Sequence, residues 1–205
     1  KLSFLKLFFC SKLTIVNFVI AMNQQLINEI KTTLQKSKVT KLATISMQNE
    51  AAIKEVIDLT FHPEEKIAFR AAWILENIYE NNPSNFVPFV AYFLDGFSKQ
   101  NNLSARRHYS KILALLSKKN TLPEIKEALK NYDTEKLVET AFQWLIDEQV
   151  PVAIKSHCLN ILANFTTIHP WIKEELLQTM DYLVDKESIA FFAKVKQIRK
   201  QLKLK

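Results

Sequence analysis

The segment Trp73-Ile74-Leu75-Glu76-Asn77-Ile78 returns in altered form at 111–116, as Lys-Ile-Leu-Ala-Leu-Leu, and at 160–165, as Asn-Ile-Leu-Ala-Asn-Phe. The three segments share the pattern x-Ile-Leu-x-x-apolar and start 38 and 49 residues apart. Each lies in a longer run of apolar residues spaced three or four positions apart, such as Ile67, Ala71, Ile74 and Ile78. This spacing places apolar side chains on one face of an α-helix. The sequence therefore predicts three equivalent helices.

The repeat also predicts how the helices assemble. The first and third segments continue alike, through Asn81-Asn82-Pro83 and Ile168-His169-Pro170, into a second amphipathic helix. A period near 40 residues with two helices per unit is typical of HEAT and armadillo solenoids, whose units bury their apolar faces against their neighbours. We therefore predict an all-α fold, an α-α superhelix (HEAT- or armadillo-like solenoid) of about four to five antiparallel helix pairs.

Glycine and proline usage supports this fold class. An average chain of 205 residues holds about fourteen glycines, whereas this chain holds Gly96 alone. Tight hairpins and phosphate-binding loops depend on glycine, so architectures built on them are nearly excluded. Five of the six prolines stand at or just before a new apolar run, where a helix's first turn tolerates them: Pro63, Pro83, Pro123, Pro151 and Pro170.

These signals together predict eleven helices, with Pro88 accommodated in the first turn of a helix capped near Ser84. Their approximate bounds are 23–36, 37–47, 50–60, 63–81, 84–98, 103–118, 122–131, 134–148, 151–167, 171–185 and 189–203.

The chain divides into a leader and a repeat domain. Residues 1–21 are apolar and basic without helical periodicity, and polar helical sequence starts at Met22. The leader is interpreted as a signal peptide, a membrane anchor or, preferably, an extension upstream of a true start at Met22. Residues 22–205 are predicted to form a single HEAT-like domain without membrane association. Within it, 188–205 form a basic capping helix that packs four apolar side chains inward: Phe191, Val195, Ile198 and Leu202.

The formal charge of +7 comes from the chain ends. Residues 1–21 and 188–205 hold nine Lys and Arg and no acid, which leaves 19 basic and 21 acidic residues, a net charge of −2, in 22–187. A duplex-binding groove is positive over its length. Nucleic acid is therefore a possible partner of this chain, but not the favoured one.

Cysteine usage favours a reducing compartment. Cys10 lies in the leader and Cys158 in the body, so the body can form neither a disulfide framework nor a cysteine-based metal site. We expect a cytoplasmic protein, or an exported one if the leader is a signal peptide.

The four histidines lack the i, i+4 spacing of a helical metal site. His62 and His169 precede prolines and are interpreted as turn residues. His108 and His157 lie four residues before Ile112 and Ile161, and Arg70 occupies the equivalent position of the first unit. We predict no catalytic residue, metal or cofactor.

Basic residues at related repeat positions form the candidate binding site. Stacking of the units would align them in a ridge suited to an acidic peptide or a phosphate backbone. The alternative is that these cations cover apolar neighbours and stay solvated. The candidate partner-binding ridge comprises Arg70, Arg107, His108, Lys111 and Lys155.

One enzyme class stays open as an alternative. DNA alkylation-repair glycosylases built of HEAT-like repeats use tryptophans with an acid and an arginine in a groove. Trp144 and Asp147 at i, i+3, with Arg107 on a neighbouring unit, imitate that combination faintly. Trp73, Trp144 and Trp171 are each expected to serve in core or inter-repeat packing instead.

Several stretches, in order and spacing, resemble a family of small HEAT-like repeat proteins of Bacteroidetes over about residues 50–205. They are Arg70-Ala71-Ala72-Trp73, Asn82-Pro83, Phe86-Val87-Pro88, Arg106-Arg107-His108-Tyr109-Ser110-Lys111-Ile112-Leu113, Phe142-Gln143-Trp144-Leu145, Pro151-Val152-Ala153-Ile154-Lys155 and Asn160-Ile161-Leu162. The resemblance implies the solenoid fold. Members of the family are sometimes named adenylosuccinate lyase, but that enzyme uses a glycine-rich flexible loop with a catalytic serine, which a chain with one glycine cannot supply.

The sequence is most consistent with a non-catalytic, monomeric protein-interaction module or scaffold that presents a concave helical surface to a protein partner, possibly an acidic one. The alternative is nucleic-acid binding, or glycosylase activity, through the basic ridge.

Overall fold

The computed structural model describes residues 26–32 and 35–203, and within these ranges the chain is helical with short connections and no strand. The leader 1–21 lies outside the described residues. Helix α1 is described over residues 26–31. The helices that follow are α2 (Lys36–Ser46), α3 (Glu50–Leu59), α4 (Glu65–Asn81), α5 (Pro83–Phe86), α6 (Val90–Phe97), α7 (Leu103–Leu116), α8 (Pro123–Lys130), α9 (Glu135–Ile146), α10 (Val152–Phe165), α11 (Ile172–Val184) and α12 (Ile189–Lys203).

Most predicted helices lie where their periodicity placed them, and one differs. The helix predicted at 84–98 is divided into α5, a 3₁₀ turn at Val87–Phe89, and α6. Pro88 sits inside that turn. Because proline has no N–H and its ring crowds the preceding turn, it interrupts the α-helical hydrogen bonds at this point. Asn49 and Asn102 cap α3 and α7, since their side chains accept the N–H groups of Ala51 and Ala105.

The helices stack in two rows. In the first row, α2, α4, α7, α10 and α12 each pack against the next. Other helices form a second row that packs against the first: α3 on α4, α9 on α10, and α11 on α10 and α12. Helix α6 packs on α8. The repeated isoleucines Ile74, Ile112 and Ile161 lie on α4, α7 and α10 of the first row, and each is fully buried. The predicted all-α solenoid is confirmed.

The C-terminal helix α12 packs as predicted. Phe191, Val195, Ile198 and Leu202 are buried against the rest of the solenoid, through α10 and α11. Lysines at 196, 200 and 203 lie on the exposed side of the helix. An amphipathic helix packed in this way covers apolar surface of α10 and α11 that would otherwise be open to water.

Gly96 is required by close packing rather than by backbone conformation. It lies in α6, and no glycine of the described residues has a positive φ. A Cβ at this position would lie 2.9 Å from Cζ of Phe61, which lies two residues after the end of α3. The close approach lets the ring of Phe61 reach Tyr109 of α7, at 5.9 Å between centroids.

Candidate functional site

Glu76 joins α4 to α7 through hydrogen bonds with two side chains of α7. Its Oε2 lies 2.6 Å from Nδ1 of His108, and its Oε1 accepts a hydrogen bond of 2.6 Å from Nζ of Lys111. Lys111 also pairs with Glu80, one turn further along α4, at 2.7 Å. Glu76 and His108 are buried, with 8% and 7% of their surface exposed. A buried carboxylate is stable only when paired and hydrogen-bonded, and this arrangement satisfies that condition.

Sequence reasoning missed Glu76, although the repeat holds a signal for it. The residue two positions after the repeated isoleucine is alanine in the second and third units, at Ala114 and Ala163, and glutamate in the first. A charged side chain in an otherwise apolar stripe points to a specific partner. The partner comes from α7 and becomes visible when α4 and α7 are stacked.

The pKa values in this cluster follow from its ion pairs. Burial raises the pKa of Glu76, but the hydrogen bonds from His108 and Lys111 outweigh burial. The pKa of Glu76 is therefore lowered from its usual value of 4.5. Burial lowers the pKa of Lys111, but Glu76 and Glu80 outweigh it and the net shift is upward. Both groups are therefore held in their charged forms. The charge of Lys111 is largely neutralised within the protein.

His157 lies on α10, close enough to Glu76 and Lys111 for their charges to act on it. Burial lowers its pKa to about 4 in the folded chain. The charge of Glu76 opposes this shift, whereas Lys111, Lys194 and Arg107 reinforce it. His157 is therefore neutral at pH 7, and the cations around it come from α7 on one side and α12 on the other.

Replacing His157 with glutamine is expected to flatten the pH dependence of stability between about pH 6.5 and pH 4. The histidine takes up a proton near pH 6.5 when unfolded and near pH 4 when folded. As the pH falls through this window, the unfolded state binds the proton first, so the wild-type chain loses stability on the order of 3 kcal/mol. Denaturant unfolding at a series of pH values measures the loss.

The matched control is His62→Gln, because His62 lies in the turn before α4, where its Nδ1 accepts the N–H of Glu64. The variant makes the same chemical change in a turn, away from the contacts between α7, α10 and α12. A slope that is unchanged in His157→Gln would contradict the assignment.

Three cations on the elements that flank α10 in the first row have no acidic partner among the described residues: Arg107 and Lys118 of the α7 region and Lys194 of α12. We call them the cationic surface. Arg107 and Lys118 are exposed, and Lys194 is half-buried. Burial lowers the pKa of Lys194, and the positive charge of Lys118 lowers it further. The cationic surface therefore brings like charges together from two helices that flank α10.

The residues of the predicted ridge do not all lie on one exposed surface. Arg107 is exposed, but Arg70 donates to the carbonyl oxygens of Ile30 and Lys31, at 2.7 and 2.9 Å, and so satisfies the end of the described part of α1. Lys155 is 1% exposed and its Nζ pairs with Glu187. Arg70 and Lys155 thus hold the fold together and do not extend an exposed ridge. The repeat pattern predicts the helix on which each residue lies. The direction of a long side chain depends on the residues that the neighbouring units bring close to it.

Buried His108 and paired Lys111 are also less available than an exposed ridge requires. His108 packs its ring against Phe69, with centroids 5.4 Å apart, and its Nε2 is buried without a hydrogen-bond partner among the described residues. The sequence did not single out Lys118 or Lys194, which enter the site because α7, α10 and α12 are consecutive members of the first row.

The glycosylase-like combination is not assembled. Trp144 is 5% exposed and packs against Phe97 at 4.7 Å between centroids, so its ring is not free to stack on a base. The guanidinium that lies over Trp144 belongs to Arg106, at 4.9 Å from the ring centroid, rather than to Arg107. The packing role predicted for Trp144 is confirmed.

Two other expectations for aromatic and turn residues have mixed outcomes. Trp171 stacks on Phe142 at 6.1 Å between centroids but is 54% exposed, so it covers a junction between α9 and α11 at the surface rather than in the core. His169 lies in a turn, as predicted, where its Nε2 meets the hydroxyl of Thr134 at 2.7 Å.

The described residues contain neither a candidate metal centre nor a candidate membrane span. No group of three or more His, Cys, Asp and Glu residues in these ranges has the geometry to hold a metal ion. None of their helices combines the length and apolar character that a membrane span requires.

Comparison with known proteins identifies the family. A family model described as a HEAT repeat domain matches residues 26–202. No curated protein and no solved structure has a significant match to the chain. The matched range contains all of the first-row helices and nearly the whole described chain. The stacked helix pairs and the match together show that this chain belongs to the HEAT repeat family.

Proposed function

We propose that this HEAT repeat protein is a non-catalytic scaffold that binds an acidic segment of a protein partner at its cationic surface, Arg107, Lys118 and Lys194. HEAT repeats generally mediate protein interactions, and a stack of repeats offers a broad surface without needing a deep cleft. The observation that carries the proposal is the clustering of cations from α7 and α12 without acidic partners among the described residues.

Crowded like charges are costly within a folded protein, and a bound anion relieves the cost. The pKa of Lys194 is lowered by burial and by Lys118, which shows that the two cations interact. An acidic segment that crosses α10 would contact the cations of the α7 region and of α12 at once. Arg107 adds a planar guanidinium, which binds carboxylates in a bidentate manner. Such complementarity increases association rates and selects partners by charge.

The observations favour a protein partner over nucleic acid. Single-stranded nucleic acids bind aromatic side chains that stack on the bases, and Trp144 is buried against Phe97. Residues 22–187 have a net charge of −2, so the body of the chain lacks the extended positive charge that a duplex-binding groove carries. A local positive patch matches a short acidic segment better than it matches the regular charge of a long phosphate backbone.

The proposal is tested by fluorescence anisotropy with the full chain and three labelled probes: a Glu-rich peptide, a Lys-rich peptide of the same length and a short DNA duplex. We expect the Glu-rich peptide to bind and its affinity to fall as salt rises. The charge-reversal variant Arg107→Glu/Lys118→Glu should bind it at least about tenfold more weakly. Both side chains are exposed, so the variant should fold normally.

Lys126→Glu/Lys130→Glu is the matched control, because it changes the net charge equally at two exposed positions on α8. It should weaken binding less than about twofold. Equal losses in the two variants would show that net charge alone governs binding. Tighter binding of the duplex with a steep salt dependence would replace the proposal with nucleic-acid recognition.

The proposal includes a cytoplasmic location. It is supported by Cys158, which is a free, fully buried thiol. A buried thiol that forms no disulfide among the described residues suits a reducing compartment. Fractionation of cells that express the native gene would test this location.

A further inference from the structure

A cavity at the N-terminal end of the solenoid lies apart from the cationic surface. It has a volume of about 680 Å³ and lies between α1, α2 and the start of α3. Its lining includes the apolar side chains of Leu26, Leu42, Ile45 and Ala52. Cavities of this size and mixed character are typical of sites for small organic ligands.

The side chain of Glu55 also lines this cavity and has an unusual environment. Glu55 is 8% exposed, and its Oε1 is buried without a hydrogen-bond partner among the described residues. Burial raises the pKa of this carboxyl, and the charge of Asp58 raises it further. A buried carboxyl oxygen without a partner is rare in folded proteins and requires a specific explanation.

Lys38 and Lys41 also line the cavity, but neither forms an ion pair or a hydrogen bond with Oε1 of Glu55. Lys54, the preceding residue, points to Asp58 at 3.1 Å and to the hydroxyl of Tyr92 at 3.2 Å. Lys38, at the cavity rim, pairs with Glu29 at 2.7 Å. This situation contrasts with that of Glu76, which is equally buried but meets both a histidine and a lysine.

We propose that the cavity is a binding site for an alkylammonium group, whose positive nitrogen pairs with Glu55 and whose apolar stem contacts Leu42 and Ala52. An ammonium group donates hydrogen bonds and supplies the opposite charge that stabilises a buried carboxylate. The aliphatic stem is removed from water against the apolar walls. This chemistry is shared by a free alkylamine and by a lysine side chain of a peptide. The site does not depend on the function proposed for the cationic surface.

The test is isothermal titration of the full chain with n-hexylammonium, with n-hexanol as the uncharged analogue. We expect n-hexylammonium to bind at least about tenfold more tightly than n-hexanol. In the Glu55→Gln variant this difference should vanish. Glu50→Gln is the matched control, since it removes one carboxylate from an exposed position of the same helix outside the cavity, and it should retain the wild-type difference.

Two tripeptides distinguish the sources of the ammonium group: acetyl-Leu-Lys-Leu-amide and the same peptide with norleucine in place of lysine. Binding of the lysine peptide with an affinity near that of n-hexylammonium assigns the site to a lysine side chain. Binding of n-hexylammonium alone assigns it to a small amine. Either result depends on Glu55 if the proposal is correct.

The carboxyl carbon resonance of Glu55 gives a readout that does not depend on the stability of the variants. Saturating n-hexylammonium should lower the pKa of Glu55 in the wild-type chain. The proposal is overturned if the amine and the alcohol bind equally, if Glu55→Gln binds the amine as wild type does, or if no amine binds at about 5 mM.

Discussion

Replacing Ile112 with alanine is expected to lower the free energy of unfolding by about 3 to 4 kcal/mol. Ile112 is fully buried in α7, the helix that packs between α4 and α10 in the first row. The substitution removes three buried carbon atoms and leaves a cavity that close-packed neighbours fill only in part. In a solenoid each unit is stabilised by its neighbours, so a defect in the middle weakens two interfaces. Urea unfolding followed by circular dichroism measures the loss.

Leu115→Ala is the matched control on the same helix. Leu115 is partly exposed and packs at the edge of the core. Its truncation should cost less than half as much, because part of the side chain already contacts water. Equal losses at Leu115 and Ile112 would contradict the assignment of the repeated isoleucine to the interface between stacked units.

Replacing Glu187 with alanine is expected to lower the free energy of unfolding by about 3 to 5 kcal/mol. Its carboxylate pairs with Nζ of Lys155, and the two side chains are 17% and 1% exposed. Without Glu187, the ammonium of Lys155 stays in α10 without an acidic partner, in a position that water cannot reach. Asp181→Ala is the control, because it breaks an exposed pair with Arg199 and should cost less than about 1 kcal/mol.

The two halves of this buried pair should behave differently. In Lys155→Met an apolar side chain of similar length fills the same space, and Glu187, at the edge of the core, turns to solvent. This variant should lose less than half of what Glu187→Ala loses, and Lys155→Met/Glu187→Ala should be more stable than Glu187→Ala alone. Thermal and urea unfolding of the three variants measure the differences. A double variant less stable than Glu187→Ala would show that the charge of Lys155 is not the source of the loss.

The positions of most helices and their assembly into a stack of repeats could be predicted from local patterns. The apolar stripe through Ile74 has the period of an α-helix, and an α-helix is stabilised by residues close in sequence. The inward side of α12 was predictable for the same reason, since Phe191, Val195 and Ile198 recur at helical spacing and are buried. Pro88 was harder to place, because a proline near a helix start fits one continuous helix or two short ones separated by a turn.

The candidate site depended on contacts between residues distant in sequence. Arg70 was predicted to lie on an exposed ridge, but it binds carbonyl oxygens of Ile30 and Lys31, about 40 positions away. Glu76 meets His108 from the next helix of the row, and the repeat alone does not show that contact.

The sequence by itself therefore determined the fold class, the repeat and the buried faces of helices such as α4 and α12, because backbone hydrogen bonding and apolar periodicity are local properties. The tertiary structure alone decided which cations are available to a partner. Lys155 and Arg107 both lie on first-row helices, yet Lys155 is buried against Glu187 and Arg107 is exposed. Long flexible side chains take the partner that stacking brings within reach, and that partner belongs to a neighbouring unit.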